Sequence, residues 1–313
     1  MPTADVLVFG ADSLVGSDFV AGTKLTVAAA GRVDPTALGL KVERFEVVDL
    51  GNLTRVQEAV SASPEPLMIN FAARTDVDPI ERERPEPSQP PEGGPAWDVN
   101  ALAPEILARA AKSAAKFFIQ LSTDFVFDGQ SGPYEESAKR SAFSSDLSWY
   151  GWTKSEGERR VEQADPRATI VRISYPYRSG YARKRDLAHG LMERYRHGTL
   201  PPLYEDQWFT PTWVPDVSRT LGRLTERPEP GIFHVASPER TTPWEFATEL
   251  FREVEGKAPE LARGSLAGAA HGPRVAPRPR VGGLVCRHVG DLGLRLTGWR
   301  EGIKRLVREE SWK

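Results

Sequence analysis

Tyr150 and Lys154 are the pair of residues in this chain whose types and spacing best suit proton transfer. Residues four apart on a helix share one face, so the two side chains would lie side by side. An ammonium near a phenol lowers the pKa of that phenol, and such a tyrosine can pass a proton to a carbonyl oxygen. An ordinary surface pair on a helix is the alternative interpretation.

Three polar residues, Ser122, Thr123 and Asp124, directly follow the apolar run 117–121. In a parallel sheet the carboxyl ends of the strands are where ligands bind. Thr123 could donate a second hydrogen bond to the carbonyl oxygen that Tyr150 protonates. Capping of a turn is the alternative role for Ser122 and Thr123.

A glycine-bearing segment, GADSLVG at 10–16, follows the apolar run 6–9 and opens a predicted helix. The N-terminus of a helix presents backbone N–H groups to a pyrophosphate. Gly10 would make the turn, and Gly16 would let the helix pack closely on the strand. Ser13 occupies the middle position, where its hydroxyl could bond a phosphate. A plain strand-to-helix turn is the alternative.

Short apolar runs alternate with helical patterns along the chain, which predicts strand–helix–strand units. The predicted strands are 6–9, 25–29, 45–48, 67–71, 117–121, 169–173 and 231–236, and the predicted helices are 14–21, 53–61, 101–115, 150–163, 183–197, 243–254 and 301–310. This pattern predicts an α/β fold with a doubly wound parallel (Rossmann) sheet and a smaller C-terminal substrate lobe. We expect residues 1–175, with a returning segment at about 212–240, to bind a dinucleotide, and 176–211 with 241–313 to form the substrate lobe.

Composition excludes several classes of function. The 313 residues carry 41 lysines and arginines against 43 acidic residues, so the net charge of −2 gives no reason to expect nucleic acid or an anionic membrane as a partner. One cysteine and five scattered histidines predict neither a disulfide framework nor a metal site. The sequence shows no signal peptide and no apolar run of about 18 residues, so we expect a cytoplasmic protein.

The segment ERERPEPSQPPEGGP at 81–95 is rich in proline, glycine and charge. Such a composition predicts an exposed loop, because it cannot form a packed helix or strand. A surface insertion is one interpretation of this segment, and a flap over the cofactor is the other.

Taken together, these motifs resemble the extended short-chain dehydrogenase/reductase superfamily, and within it the dTDP-4-dehydrorhamnose reductase group of sugar-nucleotide-binding proteins. The resemblance covers almost the whole chain, and STDFVFDG at 122–129 is its most specific part. It is also carried by GADSLVG at 10–16, INFAARTDVD at 69–78, VNAL at 99–102, YGWTK at 150–154, IVRISYPY at 170–177, TPT at 210–212, Asp216 and APRP at 276–279.

This resemblance implies a role for each matching residue. Tyr150 would be the proton donor, Lys154 would lower its pKa and bond the nicotinamide ribose, and Thr123 would polarise the ketone. The cofactor-binding residues would be Gly10, Ser13, Leu14, Val15 and Gly16 at the pyrophosphate, Asp49 and Leu50 beside the adenine, Phe71, Ala72 and Ala73 beneath the adjoining ribose, Pro176 near the carboxamide, and also Thr75 and Asn100. The substrate-binding residues would be Asp124, Phe125, Tyr175 and Arg278.

Two basic features bear on the ligands. Arg32 follows the second strand, where an arginine suits the 2′-phosphate of NADPH better than the free ribose of NADH. Asp34 lies close by and opposes this preference, and a solvated surface arginine is the alternative. Arg183, Lys184 and Arg185 could meet a nucleotide diphosphate, or they could form a solvated helix face.

The predicted function is therefore an NADPH-dependent reductase of a 4-keto nucleotide sugar, which transfers hydride to the ketone carbon. A nucleotide-sugar 4-epimerase and a non-catalytic, cofactor-binding regulatory subunit stay open as alternatives. Related dehydratases place a glutamate where this chain has Phe125, which argues against dehydration. Because the tyrosine-bearing helix often forms dimer interfaces in this superfamily, the resemblance also implies a homodimer.

Overall fold

The computed structural model describes residues 4–181, 183, 185–268 and 275–312. The strands are β1 (Val6–Phe9), β2 (Val27–Gly31), β3 (Arg44–Val47), β4 (Leu67–Asn70), β5 (Phe117–Thr123), β6 (Thr169–Ile173), β7 (Leu203–Tyr204), β8 (Gly231–Val235) and β9 (Arg263–Gly264). Seven of them form one parallel sheet in the order β3-β2-β1-β4-β5-β6-β8. The predicted doubly wound α/β fold is confirmed.

The helices connect these strands over both faces of the sheet. They are α1 (Leu14–Gly22), α2 (Leu53–Ala62), α3 (Val77–Glu81), α4 (Pro95–Trp97), α5 (Ala103–Ser113), α6 (Trp149–Ala164), α7 (Leu187–Arg196), α8 (Val214–Glu226), α9 (Pro243–Glu255), α10 (His288–Asp291) and α11 (Trp299–Glu309), with 3₁₀ turns at Pro35–Leu38 and Asp124–Val126 and a π-helical turn at Asp98–Leu102. No helix in the described ranges is long and apolar enough to cross a membrane.

Apolar residues on alternate sides of each strand build two cores, one on each face of the sheet. In β1, Leu7 packs with α2 and α5, whereas Val6 and Val8 pack with α1 and α8. Successive side chains of a strand point to opposite faces, so a strand that is buried on both sides reads as a continuous apolar run. That is why β1 is recognisable from sequence.

The order of winding reverses at β1, whose neighbours are β2 and β4. Such a reversal opens a crevice at the carboxyl ends of the strands. Here it places the glycine segment after β1 against the chain that follows β4: a Cβ added to Gly10 would lie 2.7 Å from the backbone nitrogen of Ala72. The fold thus positions the ligand crevice before any side chain contributes.

Three predicted elements have different bounds in the structure. The second strand begins at Val27, because residues 23–26 turn the chain after Thr23 caps α1. The helix predicted at 101–115 is a π-helical turn followed by α5. The helix predicted at 183–197 begins at Leu187, because the Asp186 carboxylate caps it by accepting a hydrogen bond from the backbone N–H of His189.

Outside the large sheet, β7 and β9 form a small parallel pair, and a third core lies among α7, α9 and α11. The returning elements α8 and β8 pack with the large sheet. The exact residues at which one lobe gives way to the other stay a prediction.

Candidate active site

A cavity of about 950 Å³ lies at the carboxyl ends of the central strands. Most of the predicted site residues line it. They are Gly10, Ser13, Leu14, Val15, Arg32, Asp49, Leu50, Phe71, Ala72, Ala73, Thr75, Thr123, Phe125, Tyr150, Lys154, Tyr175, Pro176 and Arg278. Three predicted residues, Gly16, Asn100 and Asp124, lie behind its wall.

The glycine segment forms a backbone cradle at one end of the cavity. Gly10 has a positive φ of 74°, and a Cβ at Gly16 would overlap the carbonyl oxygen of Gly10. Ser13 caps α1, because its hydroxyl oxygen accepts a hydrogen bond from the Gly16 backbone N–H at 3.0 Å. The Ser13 hydroxyl keeps its own proton to donate, so the serine is compatible with an anion at the helix N-terminus.

Arg32 lies at the end of β2 with its side chain exposed at the cavity. Asp34 does not pair with it: the Asp34 carboxylate accepts hydrogen bonds from the Thr36 backbone N–H and hydroxyl, at 2.9 and 2.7 Å. Among the described residues no carboxylate forms an ion pair with Arg32. The guanidinium therefore remains available to a phosphate.

The helix α6 brings Tyr150 and Lys154 to the same cavity as Thr123. Ser148 caps this helix, and Gly151 allows it to lie against the chain after β5, since a Cβ there would overlap the carbonyl oxygen of Phe125. The ring of Phe125 meets Tyr150 edge-on, with 5.6 Å between the ring centroids.

The charges around Tyr150 differ from the expectation. Burial raises the pKa of Tyr150, a hydrogen bond with Thr123 opposes this rise, and the charge of Asp124 adds to it. The predicted lowering by Lys154 is wrong for this geometry, because the Lys154 ammonium donates to the carbonyl oxygen of Leu121 at 2.9 Å. Burial lowers the pKa of Lys154 to about 8. At neutral pH Tyr150 thus carries its proton and Lys154 its charge.

Asp124 was expected to contact substrate, and the structure places its carboxylate elsewhere. The residue is 3% exposed, and its carboxylate accepts hydrogen bonds from the hydroxyls of Ser174 at 2.6 Å and Thr123 at 3.2 Å. Burial raises the pKa of Asp124 to about 6. Asp124 therefore orients Thr123 from behind the cavity wall.

Asn100 fixes the chain after β4 from the π-helical turn. Its side-chain oxygen accepts from the Arg74 backbone N–H at 2.9 Å, and its amide donates to the Arg74 carbonyl at 2.9 Å and to the Thr153 hydroxyl at 3.1 Å. On α6, Gly157 leaves room for this turn, because a Cβ there would overlap the Asn100 carbonyl. Asn100 thus supports the site without lining it.

Aromatic and basic side chains form the other end of the cavity. Tyr175 has a positive φ of 42°, packs on Phe209 with ring centroids 4.5 Å apart, and accepts a hydrogen bond from Gln207 at 3.0 Å. Arg278 pairs with Asp78 at 2.7 Å. A positive φ at a bulky residue stores strain, which is common where a side chain must face a ligand.

Several cavity residues were not predicted as site residues. Arg74 lines the cavity and pairs with Glu83 at 2.6 Å. Asp12 accepts a hydrogen bond from the Tyr181 hydroxyl at its backbone carbonyl, at 3.0 Å, and pairs with Arg183 through its carboxylate. The basic run at 183–185 was considered for a nucleotide diphosphate; Arg183 and Arg185 line the cavity, and Lys184 lies outside the described residues.

The proline-rich segment 81–95 packs on the start of α6 and does not cover the cavity. Glu81 accepts the backbone N–H of Trp149 at 2.7 Å, and the indole N–H of Trp152 donates to the Pro91 carbonyl at 2.7 Å. Residues 86–90 are exposed. The surface-insertion interpretation therefore holds for the middle of the segment, whereas its ends are anchored.

Comparison with known proteins places this geometry in a family. The model of the RmlD substrate binding domain matches residues 4–311. The chain belongs to the RmlD substrate-binding domain family. The resemblance to the dTDP-4-dehydrorhamnose reductase group is thereby confirmed.

Individual relatives differ in what they are named for. A dTDP-4-dehydrorhamnose reductase of Mycolicibacterium smegmatis is 30% identical, over 96% of this chain and 84% of the relative. The methionine adenosyltransferase 2 subunit beta of Xenopus laevis is 29% identical, over 86% of this chain and 76% of the relative. A Bacillus anthracis dTDP-4-dehydrorhamnose reductase, solved in complex with NADP, superposes with a TM-score of 0.77 at 22% identity, over 99% of both chains.

Proposed function

We propose that this protein is an NADPH-dependent reductase of a 4-keto nucleotide sugar, similar to dTDP-4-dehydrorhamnose reductase. The observation that carries the proposal is a single cavity lined by Thr123, Tyr150 and Lys154 at one part and by the glycine cradle and Arg32 at another. A reductase of this type needs a proton donor beside a dinucleotide site.

The residues present fit NADPH. A side chain at Gly10 or Gly16 would collide with the neighbouring chain and so disrupt the turn that begins α1, where backbone N–H groups favour a pyrophosphate. Arg32 would hold the 2′-phosphate, with Asp49 and Leu50 beside the adenine and Pro176 near the carboxamide. The cofactor, when bound, supplies the hydride. The Bacillus anthracis neighbour, solved with NADP, supports this choice.

The chain's own residues would handle the proton. Tyr150 keeps its hydroxyl proton at neutral pH, because burial raises its pKa, so it can donate that proton to the substrate oxygen. Thr123 donates its single hydroxyl proton to Asp124 in this structure. When substrate binds, this hydroxyl would turn and donate a second hydrogen bond to the same substrate oxygen. Lys154, charged below pH 8, would bond the nicotinamide ribose.

The nucleotide sugar would occupy the end of the cavity formed by Phe125, Tyr175 and Arg278, with Arg278 toward the diphosphate.

A 4-epimerase first needs a tyrosine that removes a proton, and the raised pKa of Tyr150 disfavours that step. The Xenopus relative is named as a subunit of methionine adenosyltransferase, which supports the subunit alternative, whereas the retained set of Thr123, Tyr150 and Lys154 favours an enzyme. We further propose that the protein forms a homodimer. We also propose that residues 1–175 with 212–240 form the dinucleotide-binding lobe, and that residues 176–211 with 241–313 form the substrate lobe.

Tyr150→Phe tests this proposal. We expect turnover of 4-keto nucleotide sugars to fall by roughly 10²–10⁴-fold, the usual contribution of a general acid, with NADPH affinity nearly unchanged. Fluorescence titration with NADPH and NADH measures the affinity. Tyr134→Phe is the matched control, because Tyr134 is buried, donates its hydroxyl to Asp128 and lies outside the cavity wall. Near-wild-type turnover of Tyr150→Phe would refute the mechanism, and failure of the wild type to bind either cofactor would refute the reductase function.

A further inference from the structure

The face of α6 that carries Tyr150 and Lys154 continues to Glu158, which the mechanism above does not use. Residues 150, 154 and 158 follow one another at intervals of four, so their side chains form a row along the helix. The Glu158 side chain is 1% exposed. At this spacing the carboxylate shares a helix face with Lys154, and its charge raises the pKa of that lysine against the effect of burial.

Two arginines hold the Glu158 carboxylate in place. Arg172 of β6 donates from Nε at 2.9 Å and from Nη2 at 2.6 Å, which is a two-pronged ion pair. Arg140, in the chain before α6, donates to the same carboxylate at 3.3 Å. Such a bidentate pair fixes the orientation of both partners. Glu158 therefore cannot swing away from the row on α6.

The neighbours of this ion pair keep it charged. Arg172 lies over the ring of Phe127, and one of its N–H groups faces His234 Nε2 at 3.2 Å. Burial and the charge of Arg172 lower the pKa of His234 to about 3, so the imidazole is neutral and can accept this hydrogen bond. The two arginines lower the pKa of Glu158 against the effect of burial.

The groups that face Lys154 come from two elements. The carbonyl oxygen of Leu121 on β5 accepts its hydrogen bond, and Glu158 on α6 supplies the opposing charge. Burial alone favours loss of the Lys154 proton. The charge of Glu158 opposes this loss.

We propose that Glu158 is a positioning residue for Lys154: its carboxylate, fixed by Arg172 and Arg140, holds the lysine in its charged form at the cavity wall. The inference rests on the proposed function, in which the charged ammonium is the form that binds the nicotinamide ribose. The ion pair of Glu158 with Arg172 and Arg140 would then support cofactor binding, in addition to holding β6 against α6.

The direct test measures the protonation of Lys154 in the cofactor-free chain. Acetic anhydride labels neutral amines, so the fraction of Lys154 labelled between pH 6 and 10, read by mass spectrometry, reports its titration. We expect Glu158→Gln to move the half-labelling point about one pH unit lower than in the wild type. Glu162→Gln is the matched control, because it removes the other partner of Arg140, at 2.7 Å, from the opposite side of that guanidinium. An unshifted Glu158→Gln profile would overturn the inference.

A second measurement separates this inference from the proposed function. We expect the NADPH affinity of the wild type to decline at alkaline pH. In Glu158→Gln the same decline should occur at a pH about one unit lower. If the wild type binds no NADPH, the proposed function fails while the labelling result still decides the role of Glu158. If NADPH binds and both chains lose it at the same pH, the role of Glu158 is refuted.

Folding is controlled with a double variant. Glu158→Gln leaves Arg172 buried without its main partner, which can prevent folding. Glu158→Gln with Arg172→Met removes both charges, and circular dichroism checks its fold. Because the charge of Glu158 acts on Lys154, the labelling point should still move down, and an unchanged point in this folded variant would again overturn the inference.

Discussion

Asp124→Asn should change how the stability of this protein depends on pH. Burial raises the pKa of Asp124 from 3.8 to about 6, so the folded state holds this proton more tightly than the unfolded state. The group therefore stabilises the fold below about pH 4, and this contribution is lost as the pH rises through 6. A pKa shift of about two units corresponds to a total contribution of about 3 kcal/mol to the free energy of unfolding. About 2 kcal/mol of this contribution is lost between pH 4.5 and 7.5.

Urea unfolding of the wild type and Asp124→Asn at pH 4.5 and 7.5 measures this contribution. We expect the free energy of unfolding of the wild type, relative to that of the variant, to fall by about 2 kcal/mol from the lower to the higher pH. Asparagine keeps the size of the side chain, and the Ser174 and Thr123 hydroxyls can rotate to suit it. Asp146→Asn, at an exposed position, is the control. Equal pH dependence in wild type and Asp124→Asn would refute the idea that Asp124 is ionised in a desolvated position.

Two further changes test the proposed contact of Arg32 with the 2′-phosphate and the close packing of α6. Arg32→Ala should weaken NADPH binding by roughly 10- to 100-fold, the value of a charge-assisted hydrogen bond, and leave NADH nearly unchanged; equal losses in two parallel titrations would contradict a 2′-phosphate contact. Gly157→Ala should cost about 1–3 kcal/mol in thermal or urea unfolding, because its Cβ would overlap the Asn100 carbonyl. Gly222→Ala on α8, with open space around it, is the control and should be neutral or stabilising; equal stabilities would argue against the close contact.

The features that could be predicted from the sequence are those set by residues close together along the chain. Buried parallel strands appear as short apolar runs, so β1 and β6 have the bounds expected. The strand ends then indicate where ligands bind, which is why Thr123 and the glycine segment were found. The spacing of Tyr150 and Lys154 is a property of one helix, and it too needs no tertiary information.

The remaining features depend on distant parts of the chain. The raised pKa of Tyr150 follows from burial and from Asp124, neither of which the spacing to Lys154 contains. The inward turn of Asp124 follows from Ser174, 50 residues away. Likewise, the sequence around Arg74 does not indicate that Glu83 pairs with it at the cavity.

The anchored segment 81–95 has a practical consequence. Glu81 and Pro91 tie it to the start of α6, and the run 86–90 between these ties is exposed to solvent. Chain tips of this kind accept insertions and attached groups, because few hydrogen bonds depend on them. A reporter dye joined at Ser88 would therefore sit outside the cavity and yet be connected, through two hydrogen bonds, to the helix that carries Tyr150. The fluorescence of such a dye could therefore report movement of that helix during turnover.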